Sequence, residues 1–325
     1  MPHHNYYDNW PKMSQVNNCL PSAPCSEEQL KMQRSQMADE LYHLLDYRQL
    51  VLEIILDGKK ITRIVCELRM SLFVKAVMMS DQRPQCLMPF PSSFFNPVTK
   101  EKQFGLLKET IAVIPPLQDI TEDKQLPRMA WELLHWVFTN PLTIEAITEN
   151  IPATLEALKL QMNLTDISPR FITSAEPFLL FKVTPSVPKT SFDAEKVTHG
   201  SFFAYHGSPL ENFHSIIHRG LKNELNIRKA YGHGTYLSST LKVSKGYSTG
   251  SEAWGHSALM TPHVDVGLEL LRKEHLQCVA IVEVVNHPNL KKHKVGGDGT
   301  HYYVVEKDEW LQLSHLIVYV ISHFM

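Results

Sequence analysis

What the sequence has little of narrows the field first. Its 325 residues include only five cysteines (Cys19, Cys25, Cys66, Cys86 and Cys278), and none sits in a CxxC pair. That usage suits a reducing compartment and argues against a disulfide framework or a cysteine-based zinc site. Neither sign of charge is in excess: 32 Lys and Arg stand against 34 Asp and Glu, a formal net charge of −2. A bulk nucleic-acid binder needs a basic surplus to neutralise phosphates, so that class is disfavoured. Long hydrophobic runs are missing too. The longest, Val279–Val285 and Leu316–Ile321, are of strand length, well below the roughly 18 apolar residues of a membrane span. The N-terminal MPHHNYYDNWPKMS has no basic segment leading into an apolar core, so it does not read as a secretory signal. No GxxxxGK[ST] occurs, which disfavours a P-loop kinase or ATPase.

What is there is an ordinary globular composition, 43% apolar and 20% charged, in a chain long enough for two domains. The unusual count is 17 histidines, which raises a metal hypothesis. His214 and His218 have the spacing of the two ligands in HExxH. However, Ser215 stands where the glutamate belongs, and no third ligand is signalled. Solvated or capping histidines are the better reading. His256, His263, His275, His287 and His293 fall in polar, loop-like segments without paired ligand spacing. A metal-dependent hydrolase is therefore disfavoured, and no metal ligand is assigned.

The pattern along the chain divides it in three. Residues 1–36 are rich in Pro, Asn, Ser and Gln and read as a flexible tail. Residues 37–165 read as helical. Leu41, Leu44, Leu45, Leu52, Ile55 and Leu56 carry a helical period, and a second helix runs from Ile64 to Val77. Four prolines make residues 83–97 a loop. Helices resume at Phe104–Ile114, Arg128–Phe138 and Ile144–Leu164. From 166 to 325 the character changes. Phe178–Val183, Phe202–His206, Gln277–Val285, Tyr302–Glu306 and His315–Ile321 are rich in Val, Ile and aromatics and predict strands. They do not alternate strictly with helices, so the fold class is α+β with mainly antiparallel pairing, preceded by an all-α domain.

Chemistry concentrates in three segments. Ser208-Pro209-Leu210-Glu211 predicts a capping box, which sets Tyr205-His206-Gly207 where a strand ends and a helix begins. Free backbone groups at such a junction meet ligands. Next, Gly232-His233-Gly234-Thr235-Tyr236 lets backbone approach something closely, without the third glycine of a dinucleotide fingerprint. Ser244 and Tyr247 follow at helical spacing. Last, Gly296-Gly297-Asp298-Gly299 reads as a turn leading to Tyr302.

In that order these segments resemble the catalytic domain of the poly(ADP-ribose) polymerase superfamily. FFAYHGSPLENFHSIIHRGL, GHGTYLSSTL and HYYVV with LIVY carry the likeness, as do ELRMSLFVKAV and AWELLHWVF in the helical half. They are most similar to its small, tail-anchored endoplasmic-reticulum branch of mono-ADP-ribosyltransferases. The resemblance implies NAD as the ADP-ribose donor, with His206, Tyr236 and Tyr302 at the positions of a His-Tyr-Glu triad. It implies that His206 and Gly207 bind the donor, that Ser244 bonds its carboxamide, and that Tyr236 and Tyr247 flank the nicotinamide. Aromatic faces suit a flat cationic ring. The segment from Leu221 to Tyr231 corresponds to a loop over the donor. Lys222, Arg228 and Lys229 stand there either toward the pyrophosphate or in solvent.

Tyr302 departs from the polymerising members, which have Glu. A phenol with a pKa of about 10 cannot supply a carboxylate at neutral pH, so transfer of single units is expected. Glu306 is roughly 13 Å further along an extended strand and is not expected to substitute. Implied partners are protein acceptors, including the chain itself, with no direct nucleic acid. The branch's membrane tail has no counterpart before Met325: either this homologue is soluble or the chain lacks its tail. The expectation is an intracellular, cytoplasmic protein, with endoplasmic-reticulum association implied only by the likeness. A binding module of the same fold without turnover is the alternative.

Overall fold

A single antiparallel sheet organises the computed structural model. The structure describes residues 46–57, 60–140, 142–158, 160, 178–185, 189–226, 230–252, 254, 272–295 and 299–324. The expected tail at 1–36 and the first turns of the expected helix from Ala38 lie outside the described residues. Among the described residues four α-helices come first: α1 (Tyr47–Ile55), α2 (Lys60–Met79), α3 (Phe104–Ala112) and α4 (Arg128–Thr139). Then follow β1 (Leu142–Ile147), α5 (Ile151–Ala157), β2 (Phe178–Pro185), α6 (Thr190–His199), β3 (Ser201–Gly207) and α7 (Phe213–Arg219). The chain continues through β4 (Thr235–Ser238), α8 (Leu241–Lys245), β5 (Ser251–Glu252), β6 (Arg272–Val285), β7 (Lys291–Val295), β8 (Thr300–Val305) and β9 (Leu311–Phe324). The strands run in the order β1-β2-β9-β6-β3-β4-β8-β7, with β5 beside β6.

The central strands are apolar on both faces because both faces are covered. Along β6, Leu276, Cys278, Ala280 and Val282 join the core shared with α2. Val279 and Ile281 point the other way, into a cluster with Leu155, Tyr205, Leu241 and Ile317. A strand buried twice reads as a continuous hydrophobic run, which is why β6 and β9 were legible in the sequence.

Helix α2 is also two-faced. Ile64, Leu68 and Leu72, at four-residue spacing, pack on the sheet. Cys66, Met70, Phe73 and Val77 build the separate helical core with Val51, Leu107, Trp131 and Leu134. From Tyr47 onward the chain is one compact unit.

One predicted helix is corrected. Residues 142–147, the start of the expected Ile144–Leu164 helix, form β1, in register with β2 from Leu142↔Pro185 to Ile147↔Leu180. Leu142 and Ile144 are buried while Thr143 and Glu145 are exposed, a period of two that the shorter window of a strand reveals. Among the described residues of that stretch the helix is α5. Strand β7 was not anticipated either, because its sequence KKHKV is charged and only Val295 has strand character.

Candidate active site

Strand β3 is paired asymmetrically. Along one edge all seven residues, Ser201 to Gly207, pair with β6. Along the other it meets β4 at a single pair, Tyr205↔Ser238. The sheet therefore opens beyond Tyr205, and among the described residues His206 and Gly207 have no strand partner on the β4 side. Four predicted site residues, His206, Gly207, Tyr236 and Tyr302, border this opening.

His206 is 8% exposed. Its Nδ1–H donates to the backbone carbonyl of Tyr236 across the gap, at 2.8 Å. A carbonyl only accepts, so this bond fixes the tautomer and leaves Nε2 as a lone-pair acceptor. Burial pushes the imidazole pKa below its ordinary value, and the bond to Tyr236 pulls partly the other way. The ring is consequently neutral at physiological pH and suited to receive a hydroxyl proton donor.

Gly207 is pressed against α8. A Cβ built on it would lie 1.7 Å from the Ser244 carbonyl oxygen and 3.1 Å from Ser248 Oγ. Ser244 is buried, and its hydroxyl donates to the Tyr205 carbonyl at 2.9 Å. The Gln277 side-chain amide, from β6, donates to the carbonyls of Lys245 and Ser248 and so fastens the end of α8. Tyr205-His206-Gly207 is thus clamped between β6 and α8. Tyr247 lies just beyond α8; its N–H donates to the Ser244 carbonyl at 3.0 Å and the residue is 44% exposed.

The aromatic side of the opening is built on β4 and β8. Tyr236 pairs with Val304, and Tyr302 with Ser238. The two tyrosines therefore sit on the same face as diagonal neighbours, about 7–8 Å apart in backbone terms. Gly234 (φ +150°) immediately precedes β4, where a Cβ would come within 2.7 Å of Val304 Cγ1 and 2.9 Å of the Val305 carbonyl. The close approach anticipated for the GxG segment is thus to β8.

Two residues not singled out from the sequence complete the group. The Tyr231 ring packs edge-on to Tyr302 at 6.0 Å and stacks on His293 at 4.6 Å and 26°. His293 is the cross-strand partner of Tyr302. The Tyr231 N–H donates to the Tyr236 hydroxyl, which donates in turn to the Gly232 carbonyl, both at 2.7 Å. The Tyr236 phenol thereby ties the glycine segment to its own strand. Tyr231 stood beside the glycines as a visible signal, whereas His293 sits in the unrecognised strand β7.

Other expectations need correction. The capping box at Ser208 does not form. A 3-10 turn (Leu210–Asn212) precedes α7, without a side-chain cap. The Ser208 hydroxyl instead accepts from the Asn212 amide at 2.8 Å, and Glu211 pairs with Arg83 at 3.0 Å. Nor are His214 and His218 solvated. His214 is 2% exposed, donates from Nε2 to the Pro89 carbonyl at 3.0 Å, and packs edge-on against Phe73 and His218. Burial pushes its pKa down to about 4, and burial with the neighbouring His214 pushes His218 down to about 3. They are neutral packing groups where α7 meets the helical core. Lys222 pairs with Asp308 at 3.2 Å, whereas Arg228 and Lys229 lie outside the described residues. His256, His263 and Gly296-Gly297-Asp298 do as well. Glu306 is exposed and held by Lys291, which keeps its carboxyl below the usual range.

Comparison with known proteins adds a separate line. Residues 174–311 match the model of the poly(ADP-ribose) polymerase catalytic domain, and residues 62–138 match the ARTD15 N-terminal domain. The chain is 32% identical over 277 residues to "Protein mono-ADP-ribosyltransferase PARP16" of Homo sapiens and 31% to that of Mus musculus, covering 79% of each chain. It is 28% identical over 227 residues to "Protein mono-ADP-ribosyltransferase PARP8" of Mus musculus, covering 61% of this chain and 24% of that protein.

Proposed function

We infer the chemistry of the opening from one premise: the chain belongs to the poly(ADP-ribose) polymerase family. It is an NAD-dependent protein mono-ADP-ribosyltransferase, a glycosyltransferase that releases nicotinamide. The observation that carries this for the present residues is the fixed tautomer of His206 beside the gap between β3 and β4.

The residues fit a dinucleotide donor. Nε2 of His206 is an acceptor in a buried, neutral ring, which suits a ribose hydroxyl. Gly207 has no ladder partner on the β4 side among the described residues, so its backbone amide groups suit a carboxamide there. Ser244 Oγ, which now donates to the Tyr205 carbonyl, retains acceptor capacity toward a carboxamide NH2. Tyr236 and Tyr247 offer aromatic surface to a cationic ring. When bound, NAD supplies a ribose carbon whose bond to nicotinamide breaks as positive charge builds on the sugar, as in glycoside cleavage.

The protein's work is to hold that donor in one pose, exclude water and aim fixed dipoles at the developing charge. Tyr302 lines the acceptor side as a neutral phenol. It cannot act as the carboxylate that chain elongation needs, which supports single-unit transfer to protein side chains, those of the chain itself included.

The division of labour follows the two matched regions. Residues 37–165 support and position, and residues 166–325 carry the transfer. Among the described residues no helix is long and apolar enough to cross a membrane; a cytoplasmic location, with endoplasmic-reticulum association by likeness to the branch, is our proposal.

Incubation of the purified chain with labelled NAD tests the reading. A discrete labelled band on the chain is expected. A ladder or smear refutes single-unit transfer. No label, with NAD still bound by calorimetry, replaces the enzyme with a binding module.

A further inference from the structure

We propose that Glu195, His199 and His287 form a surface site for a zinc-class divalent transition metal, remote from the transfer cleft. Three side chains capable of ligation, from two distant segments, bring one donor atom each to within 4.8 Å of one another. Glu195 and His199 lie one helical turn apart at the end of α6, and His199 Nε2 is 3.5 Å from Glu195 Oε2. With metal–ligand bonds of about 2.0–2.1 Å, two ligands of a tetrahedral ion stand about 3.4 Å apart. That edge is therefore already at ligating distance. Small side-chain rotations bring in the third donor.

The third ligand is held from outside. His287 follows β6, and its ring stacks on the buried Trp310 at 4.2 Å and 21°. It meets the His199 ring edge-on at 4.5 Å. Backbone bonds fix both segments: the Asn286 N–H donates to the Gly200 carbonyl at 3.0 Å, and the Leu290 N–H to the His287 carbonyl at 2.9 Å. Preorganised rings lose little freedom on ligation. Charge favours the site as well. The neighbouring cation Lys196 is taken by Glu283 at 2.7 Å, so it does not neutralise Glu195.

One bond must change. The Asn289 N–H now donates to His287 Nδ1 at 3.1 Å, which leaves the ring proton of the neutral form on Nε2. Ligation through Nε2 moves that proton to Nδ1, and ligation through Nδ1 displaces the amide directly. Either way the Asn289 amide, at an exposed residue, turns to water at small cost.

Two imidazoles and one carboxylate, with a fourth position open to water, fit Zn2+ and its first-row neighbours. Calcium and magnesium prefer oxygen-rich shells of six or more ligands and are disfavoured. The site ties the end of α6 to the turn after β6, at the Ser201 end of β3. His206 lies about 17 Å further along that strand. The site therefore acts as a staple on the frame, and the proposal does not depend on the donor reading above.

The test uses the full-length, tag-free chain after chelator dialysis, titrated with ZnCl2 by calorimetry. A transition of one ion per chain is expected, weakened at least about tenfold by Glu195→Gln and by His287→Asn. Substitution of His3 and His4 leaves it unchanged. Loaded with Co2+, the wild type shows the intense visible bands of a four-coordinate ion, and His287→Asn loses them. Glu195→Gln, conservative and on the surface, is read in its place if the histidine variant fails to fold. Labelling with NAD stays at wild-type level in folded variants. Absence of stoichiometric binding, or equal affinity in wild type and both variants, overturns the proposal.

Discussion

Gly207→Ala puts the clamped strand end to a quantitative test. The added methyl would stand 1.7 Å from the Ser244 carbonyl oxygen. Carbon and carbonyl oxygen approach no closer than about 3.3 Å in ordinary contacts, so α8 and β3 must separate by roughly 1.6 Å. The obstacle is backbone, held by the Tyr247 N–H at 3.0 Å and by Ser248 Oγ at 3.3 Å, and it cannot swing aside as a flexible side chain does. The same separation takes the buried Ser244–Tyr205 bond out of range. Overpacking costs about 1–3 kcal/mol, and the lost hydrogen bond about 1 kcal/mol. The variant should lose about 2–4 kcal/mol, measured as a lower urea midpoint at unchanged slope. Activity should suffer more than stability. A displacement of about 1 Å in a positioned site costs on the order of 10²-fold in rate, so kcat/KM for NAD should fall by at least that factor at a temperature where the variant is folded. Gly105→Ala is the control. Gly105 lies inside α3 with nothing within 4 Å of its added methyl, and the change should be neutral or stabilising by up to about 1 kcal/mol. Wild-type stability and kcat/KM in Gly207→Ala would refute the packing argument and the placement of the donor beside Gly207.

Four further outcomes follow from the same geometry. His206→Ala should abolish automodification with labelled NAD, and surviving activity would remove His206 from the site. Tyr236→Phe deletes the hydroxyl that joins the Tyr231 N–H to the Gly232 carbonyl; KM for NAD should rise several-fold at a stability cost near 1 kcal/mol, and an unchanged KM counts against the tie. Acid should destabilise the fold below pH 6.5. His214 and His315 are pushed down to about 4 and His218 to about 3, in each case chiefly by burial. The unfolded chain therefore takes up protons that the fold excludes. Stability is complete above pH 6.5 and falls toward pH 4, by up to about 1.4 kcal/mol per pH unit for each histidine; equal urea midpoints at pH 7.5 and 5.5 would contradict this. Arg69→Met should cost about 2–4 kcal/mol, because the guanidinium donates to the carbonyls of Val137, Asn140 and Leu142 and its loss leaves buried acceptors unpaired. A thermal melt shifted by less than a degree would show those acceptors satisfied otherwise.

Legibility in the sequence followed the number of faces an element buries. β6 and β9 are covered on both sides and stood out as apolar runs. β1 buries Leu142 and Ile144 on one side only and was absorbed into a helical reading. β7 exposes three lysines at the sheet edge and offered almost no hydrophobic signal, so His293 went with it. The site divided the same way. His206, Gly207, Tyr236 and Ser244 stood out as candidates because they punctuate local motifs, a strand end or a short helix, and took their expected roles from the likeness to a family. Tyr302 became a candidate through that likeness alone. Tyr231 against His293, and Glu195 with His199 against His287, are made by tertiary contact alone. The failed capping box has the same origin. Ser208 and Glu211 had the right local spacing, but Arg83, 128 residues earlier, binds that carboxylate.

This last contact bears on what the helical half does. α7 begins a few residues after His206 and Gly207, and the helical half holds it in three ways. Arg83 pairs with Glu211, the Cys86 thiol donates to the Asn212 side chain at 3.0 Å, and the Pro89 carbonyl receives His214. Phe73 and Trp136 flank the same imidazole. A shift of the segment 83–90 would, through these contacts, press on the helix that follows the strand end proposed to bind the donor. A truncation removing everything before residue 166 cannot test this, because it also strips β1 from β2 and the α2 face from the sheet core. Arg83→Ala can. The Arg83 side chain is 39% exposed, so the pair contributes no more than about 1 kcal/mol to stability. A change in KM for NAD larger than that loss explains would mean that the helical half positions the donor site, and a change within it would reduce the contact to support of the fold.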